Sequence, residues 1–312
     1  MPRELLFSRD GDFNPNDSNS LLNWALWLKG KTLRDSFNRL PAQHQTIAKS
    51  EVEKIAEAKI LPDGSYQGPK GKLGIVTEII HFGLRPDNAP IADLRGASLE
   101  LKVTGLLKNS RGIRAKERLS LGMIDYSKYV LTAPDFESDQ EVQKSLSGML
   151  LMTYWYKSSK QSPLDVVFHD SLIWKPIGKE RELIKQDWAI LQATIRLGFA
   201  HMLSERYSNG LGAPPKGAGK DTDFVQQPIQ EPFTYKQLEE KMVALGVEEE
   251  HAKYVTADYQ KRAKTPGDGV KGYTLPKDQS LISKIGPYPA RRRCYSLTNS
   301  YLTKLLNLKG CS

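Results

Sequence analysis

Residues 148–156 read Gly-Met-Leu-Leu-Met-Thr-Tyr-Trp-Tyr, and this apolar run constrains the fold more than any other stretch of the chain. Its density of apolar side chains predicts a strand buried on both faces, so other elements must cover each side. No run in the chain approaches the roughly 18 apolar residues of a membrane span. Helical spacing surrounds it. Ser18 or Ser20 is placed to cap a helix through Leu21–Leu28 that ends at Gly30, and Leu33–Leu40 and Gln43–Ala58 follow. Leu73–Phe82 is a mostly apolar helix, and Lys179–Ser204 carries Leu183, Ile184, Trp188, Leu191, Ile195, Phe199 and Met202 at helical intervals. Strand patterns occupy Ser98–Val103, Glu117–Met123 and Asp165–Ile173. This order of helix, strands and helix around one mixed sheet predicts an α/β core. Residues 1–17 read as an irregular arm ahead of a domain spanning 18–312. Charged helices at Tyr235–Ala244 and Glu248–Arg262 form an accessory helical insertion at 225–287, and a last apolar helix covers Leu302–Leu308.

The chemistry concentrates ahead of the buried run, in Asp93-Leu-Arg-Gly-Ala-Ser-Leu-Glu-Leu-Lys102. Alternation over Ser98–Val103 puts Glu100 and Lys102 on one face of a strand and Leu99, Leu101 and Val103 on the other. A Gly-containing turn separates Asp93 from that strand, so two carboxylates and one ammonium converge. A hard divalent cation such as Mg²⁺ takes one or two carboxylates plus water and substrate phosphate. A neighbouring lysine can position an attacking water or offset charge on a phosphate. An exposed edge strand with a surface ion pair is the competing reading. Glu78 stands in the middle of the apolar helix Leu73–Phe82, where an unpaired charge is costly. Lys70 and Lys72 lie just before that helix, and Lys144 lies just before the buried strand.

Charge supplies the partner class. The 312 residues hold 45 Lys plus Arg against 36 Asp plus Glu, a net charge of +9 that suits a polyanion such as nucleic acid. Cys294 and Cys311 are the only cysteines, which excludes a disulfide framework and a thiolate zinc site and fits an intracellular, cytoplasmic protein. The Gly-rich stretch after Tyr207 carries Lys216 and Lys220. Arg291, Arg292 and Arg293 adjoin Tyr295 near the end of the chain and read as a phosphate-gripping patch.

Several of these stretches together resemble one family: the MutH mismatch-repair endonuclease and the related type II restriction enzymes that cut at GATC, within the wider PD-(D/E)XK nuclease class. Asp93, Glu100 and Lys102 match its catalytic Asp, Glu and Lys without a gap. Lys70-Gly-Lys-Leu-Gly-Ile-Val-Thr-Glu78 is similar to its segment with a further active-site Glu, and Lys144 to a lysine before the buried strand. Leu28-Lys-Gly-Lys-Thr-Leu33, Leu172-Ile-Trp174, Asp187-Trp188 and Leu197-Gly198 resemble its helices and strand. Pro215–Lys220 resembles its base-contacting loop, and Arg293–Asn299 the segment with a tyrosine at the adenine methyl position. Pro214 stands where the family loop has Arg, and Val225–Pro287 has no assigned counterpart.

The resemblance implies a restriction-endonuclease-like mixed sheet flanked by helices and a Mg²⁺-dependent double-stranded DNA endonuclease, with Mn²⁺ able to substitute. Asp93, Glu100 and Glu78 would hold metal. Lys102 would serve the attacking water, and Lys70 and Lys144 would hold phosphate. The expected form is a type II restriction enzyme acting as a homodimer on DNA, its host protected by a companion methyltransferase. The alternatives are a mismatch-repair nickase and a non-catalytic DNA-binding module.

Overall fold

The apolar run at 148–156 forms a strand, Met149–Trp155, hydrogen-bonded on both sides within a four-stranded mixed sheet. The computed structural model describes residues 5–9, 11–61, 66–67, 72–87, 89, 91–110, 112–158, 161–216, 224–226, 234–262 and 289–308. The chain runs through α1 (Ser18–Trp27), α2 (Leu33–Asn38), α3 (Ala42–Ala56), the short strands β1 (Lys59–Ile60) and β2 (Tyr66–Gln67), α4 (Leu73–Ile80), β3 (Glu100–Asn109) and β4 (Gly112–Ala115). Next come β5 (Leu119–Met123), α5 (Tyr126–Leu131), α6 (Gln140–Leu146), β6 (Met149–Trp155), β7 (Phe168–Trp174) and α7 (Lys179–Arg196). The remainder is β8 (Leu211–Gly212), β9 (Phe224–Gln226), α8 (Tyr235–Ala244), α9 (Glu249–Lys261), β10 (Pro289–Arg291), β11 (Cys294–Leu297) and α10 (Asn299–Leu308).

The chain divides into two compact units. The first is Met1–Leu119, Lys144–Pro176 and Leu302–Ser312; the second is Ser120–Gln143 and Ile177–Tyr301. In the first unit the strand order is β4-β3-β6-β7, with β3 and β6 parallel and both outer pairs antiparallel. Glu100 lies opposite Met149 and Leu101 opposite Leu150. Leu99 and Leu101, with Leu150 and Met152, bury one face of the sheet in a core shared with Leu21, Trp24, Val76 and Ile80. Opposite parity sends Glu100, Lys102 and Thr104 to the other face. The second unit holds a three-stranded sheet, β5-β11-β8, and a two-stranded pair, β10-β9. No helix among the described residues is long and apolar enough to cross a membrane.

Three local expectations change. The cap of α1 is Asp17, which accepts the Asn19 amide at 2.9 Å, in place of Ser18 or Ser20. The long helix stops at Arg196 because Gly198 adopts a left-handed φ of 80°; a 3₁₀ turn at Ala200–Met202 follows, and Phe199 and Met202 stay buried. The strand expected at Glu117–Met123 forms as β5 but joins β11, and the central sheet takes β4 instead. Strand partners are chosen by long-range packing, which a local alternation does not encode. The arm before α1 is irregular yet packed: Phe7 and Arg9 are buried, and Arg9 donates to the Ile80 carbonyl at 2.6 Å.

His81, at the end of α4, shows how this core reacts to acid. It is fully buried and stacked on Trp24 at 4.4 Å. Nε2 lies 3.1 Å from the Trp24 carbonyl, which can only accept, so Nδ1 accepts from Ser36 Oγ at 3.0 Å. Burial, and then the nearby Arg9 charge, hold its pKa well below the ordinary 6.5. A depressed pKa in the folded chain means stability that is complete above about pH 6.5 and lost as the pH falls below it. The expected slope in urea unfolding approaches about 1.4 kcal/mol per pH unit below that point. His81→Gln, which cannot charge, is expected to be less stable at pH 7.5 but to lack this component. An unchanged slope in the variant would remove His81 as its source.

Candidate active site

Asp93 reaches the strand by a tight reversal. Leu94 and Leu99 pair through both backbone hydrogen bonds, at 2.8 and 3.2 Å, around a 3₁₀ turn at Arg95–Ala97, and Ser98 takes a left-handed φ of 54°. The turn brings Asp93 back alongside β3, where its Oδ2 accepts the Leu101 amide at 3.1 Å. Gly96 is required by packing: a Cβ there would overlap the side-chain oxygen of Asn16 and stand 2.8 Å from the Pro15 carbonyl, both from the N-terminal arm.

Glu100 and Lys102 project from the same face of β3, and Lys102 Nζ donates to Glu100 Oε1 at 2.7 Å. Glu100 is only 4% exposed and Lys102 half-buried. The pair is therefore not a surface ion pair on an edge strand, because β3 is internal and its carboxylate is buried. The outer edge of β3 is paired with β4 only from Leu106 to Asn109. Along a strand the N–H and C=O of one residue share a side, so the Leu101 carbonyl lies on the same edge as Asp93. No group of three His, Cys, Asp or Glu side chains suited to a metal occurs among the described residues. Two carboxylates beside a main-chain carbonyl nevertheless fit a hard cation that completes its shell with water and phosphate.

Glu78 is half-buried on α4, whose neighbouring Val76, Thr77, Ile79 and Ile80 are buried. Lys144 is half-buried in the last turn of α6, and Lys70 lies outside the described residues. A cleft of about 390 Å³, lined by Gly74, Val103, Lys116, Tyr154, Tyr156 and Gln161 among others, opens in the same unit. None of Asp93, Glu100 and Lys102 lines it, and Val103 belongs to the opposite face of β3.

The basic residues of the second unit form a ribbon. Lys216 N–H donates to the Arg292 carbonyl at 2.7 Å, Pro215 bridges Arg293, and β8 pairs with β11 beyond them. Lys216 and Arg292 are exposed and Arg291 is half-buried. Arg293 turns inward, 5% exposed, and donates to the Ala213 carbonyl at 2.7 Å. Tyr295 is fully buried, its hydroxyl hydrogen-bonded to Tyr129. Of the expected patch, only Lys216 and Arg292 are exposed; Lys220 lies outside the described residues.

Sequence reading missed two buried carboxylates that hold this ribbon. Asp187 on α7 accepts the backbone amides of Asn209, Gly210 and Leu211 at 2.6–3.1 Å. Burial pushes its carboxyl above the ordinary range, against those three amides, which favour the charged form. Asp139 accepts from Tyr129 Oη and, at 2.8 Å, from Trp188 Nε1. An acid within an apolar helical pattern, as at Asp187, is the one signal that could have marked either.

The family model described as the DNA mismatch repair enzyme MutH matches residues 82–187. That segment takes in Asp93, Glu100, Lys102 and Lys144, and over it the resemblance read from the motifs is borne out. The type II restriction enzyme Sau3AI of Staphylococcus aureus is 33% identical over 143 residues, which is 44% of this chain and 28% of that enzyme. The chain thus spans well under a third of the length of the curated relative it matches.

Proposed function

We propose that this chain, MutH-like from residue 82 to residue 187, is a Mg²⁺-dependent endonuclease that cuts double-stranded DNA at GATC or a related short site, in the manner of a type II restriction enzyme. The observation that carries the reading is the return of Asp93 to the edge of β3, beside the Glu100–Lys102 pair. Asp93 and Glu100 would hold the cation, with Glu78 contributing from α4, and Mn²⁺ would substitute. When bound, the cation lowers the pKa of a water and offsets charge on the scissile phosphate. Lys102, paired with Glu100, would orient the attacking water by donating to it and would offset charge building on the scissile phosphate. Lys144 and Lys70 hold the phosphate. Exposed Lys216 and Arg292 grip the backbone of the duplex; buried Arg293 and Tyr295 do not reach it in this arrangement. Cutting both strands calls for two such sites, hence a homodimer on DNA, and a methyltransferase would protect the host's own copies of the site.

Nicking of one strand is the second reading, favoured by the mismatch-repair description of the matched family. Incubation of the purified chain alone with unmethylated and methylated plasmid, Mg²⁺ present, decides between them. Rapid linear products with one recurring end sequence are expected. Slow nicked circles would move the assignment to repair. No cleavage with either Mg²⁺ or Mn²⁺, or ends without common sequence, would sink the reading.

A further inference from the structure

The basic ribbon is tied down by one face of α5. Tyr126 and Tyr129 stand one turn apart on that helix, and both are buried. Tyr126 Oη donates to the Arg291 carbonyl at 2.5 Å, and the Ile124 amide donates to the Arg293 carbonyl at 3.0 Å. Tyr129 Oη donates to Asp139 Oδ2, so its oxygen accepts from Tyr295 Oη. Trp188 Nε1 donates to the same Asp139 oxygen, which leaves the carboxylate anchored from two elements. Asp139 is in turn held at the start of α6, where its carbonyl accepts the Val142 and Gln143 amides at 3.1 and 2.8 Å. Arg291, Arg293 and Tyr295 are therefore restrained from behind, while Arg292 between them stays exposed next to Lys216.

We infer that Tyr129, held by Asp139 and bonded to Tyr295, is a positioning residue that sets the place of the Arg292–Lys216 pair on the DNA backbone. Burial in a low-dielectric interior makes a three-group chain of this kind stiff and costly to break. A phosphate-gripping pair needs that stiffness, because a displaced lysine or arginine loses its phosphate without any change in its own chemistry. The inference rests on the endonuclease reading for its DNA partner, but the tether itself is measurable without DNA.

Tyr129→Phe removes the hydroxyl and keeps the ring; Tyr295→Phe removes the same bond from the other side and serves if the first variant folds poorly. Hydrogen exchange on the full chain reads the tether. The Lys216 and Cys294 amides, which pair the ribbon, are expected to exchange about tenfold faster in either variant, with the amides of β3 and β6 unchanged. Titration of a short duplex bearing the site, without divalent metal, reads the consequence. Affinity is expected to fall about tenfold and the slope of log affinity against log salt to flatten by about one to two. In a Lys216→Ala/Arg292→Ala background Tyr129→Phe should cost nothing further. Unchanged ribbon exchange, or a full additive loss in that background, would overturn the inference. A wild-type chain that binds no duplex would overturn the endonuclease reading instead, and the exchange result would still decide the tether.

Discussion

Asp93→Asn is expected to lower DNA cleavage by about a thousandfold or more, the scale seen when one electrostatic partner of a phosphoryl-transfer or acyl-transfer site is lost. The substitution is chosen for what it preserves. An asparagine oxygen can still accept the Leu101 amide that Asp93 holds at 3.1 Å, so the reversal at 94–99 keeps its anchor. Only the charge goes. Duplex binding should stay within about threefold of wild type, because it depends on cations elsewhere in the chain. Time courses of plasmid cleavage in Mg²⁺, beside gel-shift titration of the same duplex, measure the two together. Cleavage near the wild-type rate would show that Asp93 is not a metal ligand. A parallel loss of binding would make it a structural residue instead.

Asp187→Ala is expected to be the most destabilising single change in the second unit, at about 3–5 kcal/mol. Its carboxylate is buried and accepts three consecutive backbone amides, Asn209, Gly210 and Leu211. Alanine leaves the buried Gly210 and Leu211 amides with neither side chain nor ready access to water, while Asn209 is exposed. The segment they fix leads directly into β8 and on to Lys216, so the basic ribbon should loosen with it. Urea unfolding of variant and wild type gives the difference. A loss below about 1 kcal/mol would mean that water or a backbone shift replaces the carboxylate, and that the ribbon is held by α5 alone.

Particular residues show how far the sequence could be read. The shared face of Glu100 and Lys102 was legible because alternation along one strand is a local rule, and the two do bond to each other. The nearness of Asp93 was suggested by the turn residues, but it needed Ser98 in a left-handed conformation and the N-terminal arm packed against Gly96. The arginine run was legible as charge. Which arginine faces out was not, since Arg293 turns inward to a carbonyl 80 residues away, at Ala213. Tyr295 likewise reads as a surface aromatic until Tyr129 and Asp139 are placed behind it.

By itself the sequence determined that the chain has a buried strand at 148–156, an acidic and basic row on the strand after Asp93, and an excess of positive charge. Each of these follows from side-chain type and short-range periodicity. Only the tertiary structure decided that β3 lies inside a mixed sheet, that β5 leaves that sheet for β11, and that Lys216 and Arg292 stand together at a ribbon in which Arg293 and Tyr295 are buried. The physical reason is the same in each case. Backbone hydrogen bonds pair segments far apart in the chain, and the facing of a side chain is settled by whichever distant partner satisfies the backbone next to it.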